Sequence, residues 1–264
     1  MERLEIEFLG TGTSTGVPSL RCGCEVCRSG DPRDNRMRCS AVVRYKGARL
    51  LLDCSPDFRT QMLRASDDAL DALLLTHIHF DHIGGIEDLR AYCLEQGSFP
   101  IYARQDVIDD LYRRLAYCFN SHPYPGVPHF DVHPICEWEP FTVAGVDVLP
   151  LPVLHYRLPI LAFLIGPMAY ITDAKYISDE VTERLRGIPL LVINTLRRSE
   201  QGEHFSHFCL DETLAAIRKI QPGRALLIHM SHGIGPHAES QSLLPDNVSL
   251  AYDGLITQVE TPDQ

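Results

Sequence analysis

Between Thr76 and His82 the chain reads THIHFDH, which places His77, His79, Asp81 and His82 within six residues. Neutral imidazole and carboxylate are ligands that zinc, manganese and iron accept, so four such groups on one tight loop can converge on a metal pocket. One loop cannot easily wrap all four around a single ion. The spacing suits two neighbouring ions, with His77 and His79 on one and Asp81 and His82 on the other. A second group with ligand chemistry lies upstream, where RCGCEVC puts the thiols of Cys22, Cys24 and Cys27 within six residues. They can fold around one tetrahedral zinc if a fourth ligand arrives from elsewhere. Thiolates make such a site zinc-selective by softness, whereas an all-N,O set takes zinc or manganese.

The elements that must position these groups are legible as apolar runs. Ala72 to Leu75 reads as a buried strand, so the histidine cluster lies on the loop leaving it, ahead of Ile83-Gly84-Gly85. Leu4, Ile6 and Phe8 alternate with Glu5 and Glu7 as a half-buried strand that Gly10-Thr11-Gly12-Thr13 ends in a sharp turn. That GTGT stretch lacks the lysine of a P-loop and no helix pattern follows, so only the turn is read from it. Ala41 to Tyr45 and Arg49 to Asp53 form a hairpin about Lys46-Gly47, and the chain then enters a helix whose inner positions are Phe58, Met62 and Leu63. A second helix is expected over Ile83 to Leu94. Residues 117–134, rich in Pro, Gly and aromatics, read as an ordered loop over the sheet edge that could serve as a lid or a homodimer contact. Their His122, His129 and His133 are assigned no metal.

Strands resume at Phe141 and end at His155, and a hairpin about Gly166-Pro167 then delivers Asp173 at a strand end. A carboxylate there can bridge two metals with one oxygen each. Leu190 to Asn194 is a further strand, and Leu210, Leu214, Ile217 and Ile220 recur at helical spacing, preceded by His204-Phe205-Ser206-His207. Ala225 to Ile228 is the last strong apolar run, and His229 follows it at once.

With 264 residues and 45% hydrophobic content, the chain can bury a full two-layer core. A formal charge of −11 argues against a surface built mainly for nucleic acid, which needs clustered Lys and Arg. Met1-Glu2-Arg3 leads straight into Leu4 to Leu9 with no export segment, and no apolar run approaches spanning length. Nine scattered cysteines fit a reduced compartment, and the expectation is a cytoplasmic protein with no membrane partner.

THIHFDH followed by Gly-Gly resembles the signature of the metallo-β-lactamase superfamily. The resemblance implies an α/β (α+β) fold, an αββα sandwich of two packed mixed sheets flanked by helices, formed by residues 1–264 as one domain with the metal site at one end. It supplies the remaining ligands as His155, Asp173 and His229. His77, His79 and His155 then hold one ion, Asp81, His82 and His229 the other, and Asp173 is shared. In that fold a helix begins where the ligand loop ends, so its positive end faces the site and favours an anionic substrate.

The cysteine run resembles a smaller branch, the PhnP-type phosphodiesterases (phosphoribosyl 1,2-cyclic phosphate phosphodiesterases). There, CxCxxC and a late histidine hold a structural zinc. His232 in IHMSH is the matching position and His237 the fallback. The same branch gives a histidine ahead of the late helix the role of general acid, which falls on His207, with His204 as competitor. Asp81 and His207 are the catalytic assignments.

Two ions about 3.5–4 Å apart, sharing a hydroxide and Asp173, suit phosphodiester hydrolysis. The expectation is a metal-dependent phosphodiesterase with two catalytic divalent ions, zinc or manganese, one structural zinc, and a small or cyclic substrate. One alternative is a tRNase Z type tRNA 3′-processing endonuclease, whose opening FLGTG resembles. Against it stand the acidic balance and the lack of a long basic arm. Another is a lactone or thioester hydrolase on the same fold.

Overall fold

Leu4, Ile6 and Phe8 are all buried along β1 (Arg3–Gly10), and they face the apolar side chains of a second sheet. The computed structural model describes residues 2–66, 69–120 and 124–261, so His122 lies outside the described residues. One sheet is built from β1, β2 (Ser40–Tyr45), β3 (Ala48–Leu52), β4 (Ala72–Leu74), β5 (Phe99–Ala103) and β6 (Phe130–Pro134). The other uses β7 (Phe141–Val143), β8 (Val146–His155), β9 (Leu158–Ile165), β10 (Met168–Ile171), β11 (Leu190–Asn194), β12 (Arg224–Ile228) and β13 (Val248–Leu250). The last strand, β14 (Ile256–Glu260), returns to the first sheet beside β1.

Each sheet has seven strands, in the orders β14-β1-β2-β3-β4-β5-β6 and β13-β12-β11-β10-β9-β8-β7. Strands β3 to β6 are parallel, as are β10 to β13, and antiparallel pairs join them on one side. Both faces are covered, which explains why these strands read as continuous apolar runs rather than alternating ones. Leu50 and Leu52 turn inward to Phe163, Tyr170 and Val192 of the other sheet. Leu51 and Leu73 turn outward onto α1 (Phe58–Met62), α2 (Phe80–Ile83), α3 (Arg90–Gln96) and α4 (Gln105–Arg114). On the far side, Leu191, Ile193 and Leu227 pack under α5 (Asp179–Arg184) and α6 (Leu210–Ile220), and α7 (His237–Ser242) flanks β13. The layers are therefore α/β/β/α, the expected sandwich. Each fully buried Leu, Ile or Val contributes about 1.5–3 kcal/mol, which makes these layers the main source of stability.

Several local expectations need correction. Leu63 is 71% exposed, because α1 ends at Met62 and only Phe58, Gln61 and Met62 turn inward. The single helix expected over Ile83 to Leu94 is broken into α2, a 3₁₀ turn at Ile86–Leu89, and α3. Gly84-Gly85 marks the break, and a Cβ on Gly85 would collide with the Ser55 carbonyl oxygen, so only glycine permits this close approach. The segment read as a loop contains β6, an edge strand parallel to β5, because alternation over five residues escaped notice among the prolines. Glu7, read as outward-facing, is buried and accepts hydrogen bonds from Arg44 and Ser66. Among the described residues, no helix is long and apolar enough to cross a membrane.

Candidate metal centre

The site forms where strands end. Asp53 follows β3, the THIHFDH loop follows β4, His155 closes β8, Asp173 lies two residues past β10, and His229 follows β12. Ligands gather beyond the carboxyl ends of parallel strands because the chain there leaves the sheet and frees its side chains. Asp53, Asp173 and His229 all adopt left-handed backbone, with φ of 58°, 54° and 57°. That conformation costs a non-glycine residue roughly 1–2 kcal/mol, and strain of this kind concentrates at functional positions.

Backbone contacts fix the loop. The Cys54 N–H donates to the His82 carbonyl at 2.7 Å and the Gly85 N–H to the Cys54 carbonyl at 2.9 Å, which tie the β3 and β4 exits together. The Leu161 N–H donates to the Thr76 carbonyl at 3.1 Å, joining the two sheets at this end.

Two sets of side chains converge. One nitrogen or oxygen from each of His77, His79, His155 and Asp173 forms a first set, all within 4.8 Å of one another. Asp81, His82, Asp173 and His229 form a second set on the same criterion. Asp173 belongs to both and divides its oxygens between them. Oδ2 faces His77 Nε2 at 3.8 Å, and Oδ1 faces His82 Nε2 at 3.3 Å and His229 Nε2 at 3.1 Å. Asp81 Oδ2 lies 3.3 Å from His82 Nε2 and 3.5 Å from His229 Nε2. The seven residues assigned from the sequence are thus brought together in the expected two groups.

The outer nitrogens of His82 and His155 are held by the protein. His82 Nδ1 donates to Asp53 Oδ2 at 2.7 Å, and Asp53 also accepts from the Thr76 N–H and hydroxyl. His155 Nδ1 donates to the carbonyls of Asp173 and Ser206, each at 2.8 Å. Such partners fix ring orientation and tautomer and leave the other nitrogen's lone pair facing inward. Asp53 was missed as a functional residue in the sequence. Its signal was there, since an ionisable residue just past an apolar strand is the pattern that also gives His229.

Whether metal fits can be judged from what the protein leaves unpaired. His77 Nε2 and His82 Nε2 are fully buried and have no hydrogen-bond partner. Buried nitrogens in that condition are costly unless something binds them, and a divalent cation ringed by imidazole and carboxylate does so. The electrostatics agree. Burial disfavours ionised Asp173 and Asp81, but neighbouring histidines outweigh it and hold both carboxyls well below their ordinary range. Burial likewise disfavours charged His82, yet Asp173, Asp81 and Asp53 push its imidazole well above its ordinary value. The carboxylates demand a cation, and in its absence a proton on His82 serves.

This sets a sign for pH. A histidine whose folded value is raised adds stability that is complete below about pH 6.5 and is lost as pH climbs through the raised value. The metal-loaded protein, with the ion in the proton's place, should therefore gain melting temperature relative to the metal-free protein from pH 6 to pH 9, because the histidines that burial keeps neutral, His77 among them, add the same stability to both forms. Thermal melts of both forms at the two pH values check this, and a gap that narrows with rising pH would contradict it.

The cysteine cluster is equally explicit. Cys22, Cys24 and Cys27 place Sγ 3.2, 3.2 and 3.5 Å from His232 Nδ1. Ligands on a tetrahedral zinc lie roughly 3.5–3.8 Å apart, so the four atoms outline such a site. Burial pushes the Cys27 thiol up to about 11, while a backbone hydrogen bond from Cys27 brings Cys24 down to about 6. His237 is elsewhere: its Nδ1 lies 3.1 Å from Arg36 Nη2 and its N–H donates to Asp34. The GTGT turn has more than a turning role, since Thr13 N–H donates to the Met230 carbonyl and Met230 N–H to the Thr11 carbonyl. It thereby clamps the residue that separates His229 from Ser231 and His232. Elemental analysis should find more metal than two ions in the wild type, and about one zinc fewer in a Cys22→Ser, Cys24→Ser double variant. Equal zinc in both would refute the cysteine site. Its loss should lower stability more than turnover, because an ion bound only by the folded chain adds its binding energy to folding.

His207 sits beside the first set without joining it. Its Nδ1 is buried, unpaired and 3.9 Å from Asp173 Oδ2, and its ring centroid lies 4.6 Å from His155 and 4.9 Å from His229. Burial pushes its imidazole down to about 3, with Asp173 acting partly against the shift. His204 stands one ring further out, 5.2 Å from His207, and accepts hydrogen bonds from Ser206. His129 and His133 lie in or beside β6, outside both sets.

Residues 48–230 match the family model described as a beta-lactamase superfamily domain. A diphosphatase of the PhnP family with a solved structure is 34% identical, with a TM-score of 0.90 over 99% of both chains. Zinc-bound PqqB from Methylobacterium extorquens shares the fold, at 22% identity and a TM-score of 0.76 over 96% of this chain and 99% of its own. An octanoyltransferase of Porphyromonas gingivalis is 46% identical over 94% of this chain, which spans about half (50%) of that protein's length. The chain belongs to the β-lactamase superfamily and, within it, to the PhnP family. It has the metallo-β-lactamase fold and a buried His/Asp cluster suited to metal.

Proposed function

We propose that the protein is a metal-dependent phosphodiesterase acting on a small or cyclic phosphodiester. The observation that carries this reading is Asp173, which turns one oxygen to each half of a buried two-part cluster. The PhnP-family diphosphatase, a relative named for cleaving a phosphorus–oxygen linkage, supports it. Two divalent ions, zinc or manganese, would supply the charge that neutralises phosphate oxygens and the activation that makes water nucleophilic at neutral pH. His77, His79 and His155 would hold one, Asp81, His82 and His229 the other, with Asp173 shared. Asp53 and the two carbonyls on His155 keep the rings in the ligating tautomer. His232 with the three cysteines would hold a third, structural zinc.

His207 is the proton donor to the leaving oxygen in this reading. Burial, helped by the neighbouring His229, His155 and His204, keeps it neutral. A phosphodiester anion bound beside it favours the charged ring, so substrate binding recharges the acid it needs.

A panel of bis-p-nitrophenyl phosphate, cyclic nucleotides, pre-tRNA and an octanoyl thioester tests the proposal. Hydrolysis of the diesters is expected, lost on chelation and restored by zinc or manganese. Thioester turnover with inert diesters would favour the second reading, acyl hydrolysis, which the octanoyltransferase relative brings into view.

A further inference from the structure

At the outer edge of the metal centre two aromatic side chains stand in solvent. Tyr156 is 52% exposed and Phe205 70% exposed, and their rings meet edge to face with centroids 5.8 Å apart. Tyr156 follows His155 directly, in the two-residue turn that joins β8 to β9. Phe205 precedes Ser206, whose carbonyl holds His155. Both rings are therefore anchored through the backbone to one metal-cluster histidine. A line of rings connects them to the reacting end: His207 to His204 at 5.2 Å, His204 to Phe205 at 4.8 Å and nearly parallel (22°), then Phe205 to Tyr156. The Arg157 guanidinium lies over the Tyr156 ring at 5.2 Å.

Neither folding nor packing explains Tyr156. Its φ is 56°, a left-handed conformation that a tight hairpin turn normally gives to Gly, Asn or Asp. The chain keeps a strained, bulky residue there with about half of it exposed, so the turn recovers only part of the area that a buried tyrosine would contribute. Strain of this kind next to a reactive site points to binding.

We infer that the substrate carries a planar heterocyclic base, which lodges on a ledge, the right angle between the Tyr156 and Phe205 rings, parallel to one and edge-on to the other, while its phosphate lies at the metal cluster. This deepens the phosphodiesterase reading and rests on it. A base suits the ledge better than an alkyl chain does. One ring face left free beside the perpendicular ring offers a flat surface to one side of a π-system and leaves the base's polar edge hydrated. An alkyl chain gains only from enclosure, which two rings this exposed do not provide. Arg157 adds a cation able to stack on the same π-systems.

The test compares adenosine 5′-monophosphate with ribose 5-phosphate by calorimetry on the metal-loaded protein, since the two share the phosphorylated ribose and adenine replaces only the anomeric hydroxyl. The wild type should bind the first about 5- to 150-fold more tightly, the range for one base–aromatic stack. Tyr156→Ala and Phe205→Ala should each lose most of that margin while binding ribose 5-phosphate within about twofold of wild type, and Phe205→Trp should keep it. Tyr156→Gly relaxes the backbone, so it should lose the margin without lowering the melting temperature, which separates recognition from folding. Equal affinity of the wild type for the two ligands, including no binding of either, overturns the inference, as does an undiminished margin in the alanine variants. Octanoate binding lost in the same variants would place an acyl chain on the ledge instead. Hydrolysis of methyl p-nitrophenyl phosphate, which has no base, is followed alongside. Its absence counts against the phosphodiesterase reading and leaves the base margin to be judged separately.

Discussion

Replacing Asp173 with Asn should reduce kcat/KM on a phosphodiester by about 10³-fold or more, equivalent to ~4 kcal/mol of transition-state stabilisation, and should release at least one catalytic ion. The cause is geometric. Asp173 is 1% exposed, its hydroxyl partner Thr172 fixes Oδ1 at 2.6 Å, and its two oxygens face the two halves of the cluster. Asparagine keeps the shape but removes the charge that both halves share and turns one of the two facing oxygens into an NH2 donor, so this variant tests the charge and the two-oxygen contact together. Asp173→Ala should abolish turnover too, with an added stability cost, because the positively charged His82 would then have lost one of its three carboxylates. Metal content and activity measured together decide the matter. A variant with wild-type metal and wild-type turnover would remove Asp173 from the site.

The second large effect belongs to His207. Attack on a phosphodiester pushes charge onto the leaving oxygen, and a poor alkoxide leaves only if a proton reaches it. His207→Ala should retain its metals, because it lies outside both ligand sets. It should lose about 10²- to 10⁴-fold on a substrate with an alkoxide leaving group, and much less on a p-nitrophenyl ester, whose phenolate leaves without protonation. Its position, buried with Nδ1 3.9 Å from Asp173, puts it within reach of a group held at the cluster but behind none of the ligand nitrogens. Losses of equal size on both substrates would show that it orients the phosphate. The proton donor would then be sought at His204, one ring further out.

The ligand types and their order were written in the sequence. HxHxDH, three closely spaced cysteines and a run of ionisable residues just past apolar strands are local patterns, and local patterns survive without coordinates. The strands were legible for the same reason, since those buried on both faces read as unbroken apolar runs such as Leu50 to Leu52 and Leu190 to Ile193, whereas the layering was implied only by the resemblance of THIHFDH to the superfamily signature. Tertiary structure decided the rest. That His232 and not His237 meets the thiols depends on where the chain turns after β12, which the clamp of the GTGT loop on Met230 sets across more than two hundred residues. Asp53 shows its role only when β3 and β4 lie side by side, because its partner His82 is 29 positions away. The break between α2 and α3 likewise comes from the Ser55 carbonyl pressed against Gly85, a contact between segments that no helical periodicity can report. Residue chemistry is a property of the sequence, but which lone pairs face one another is a property of the packed strand ends, and only those put Tyr156 and Phe205 at the rim of the same site.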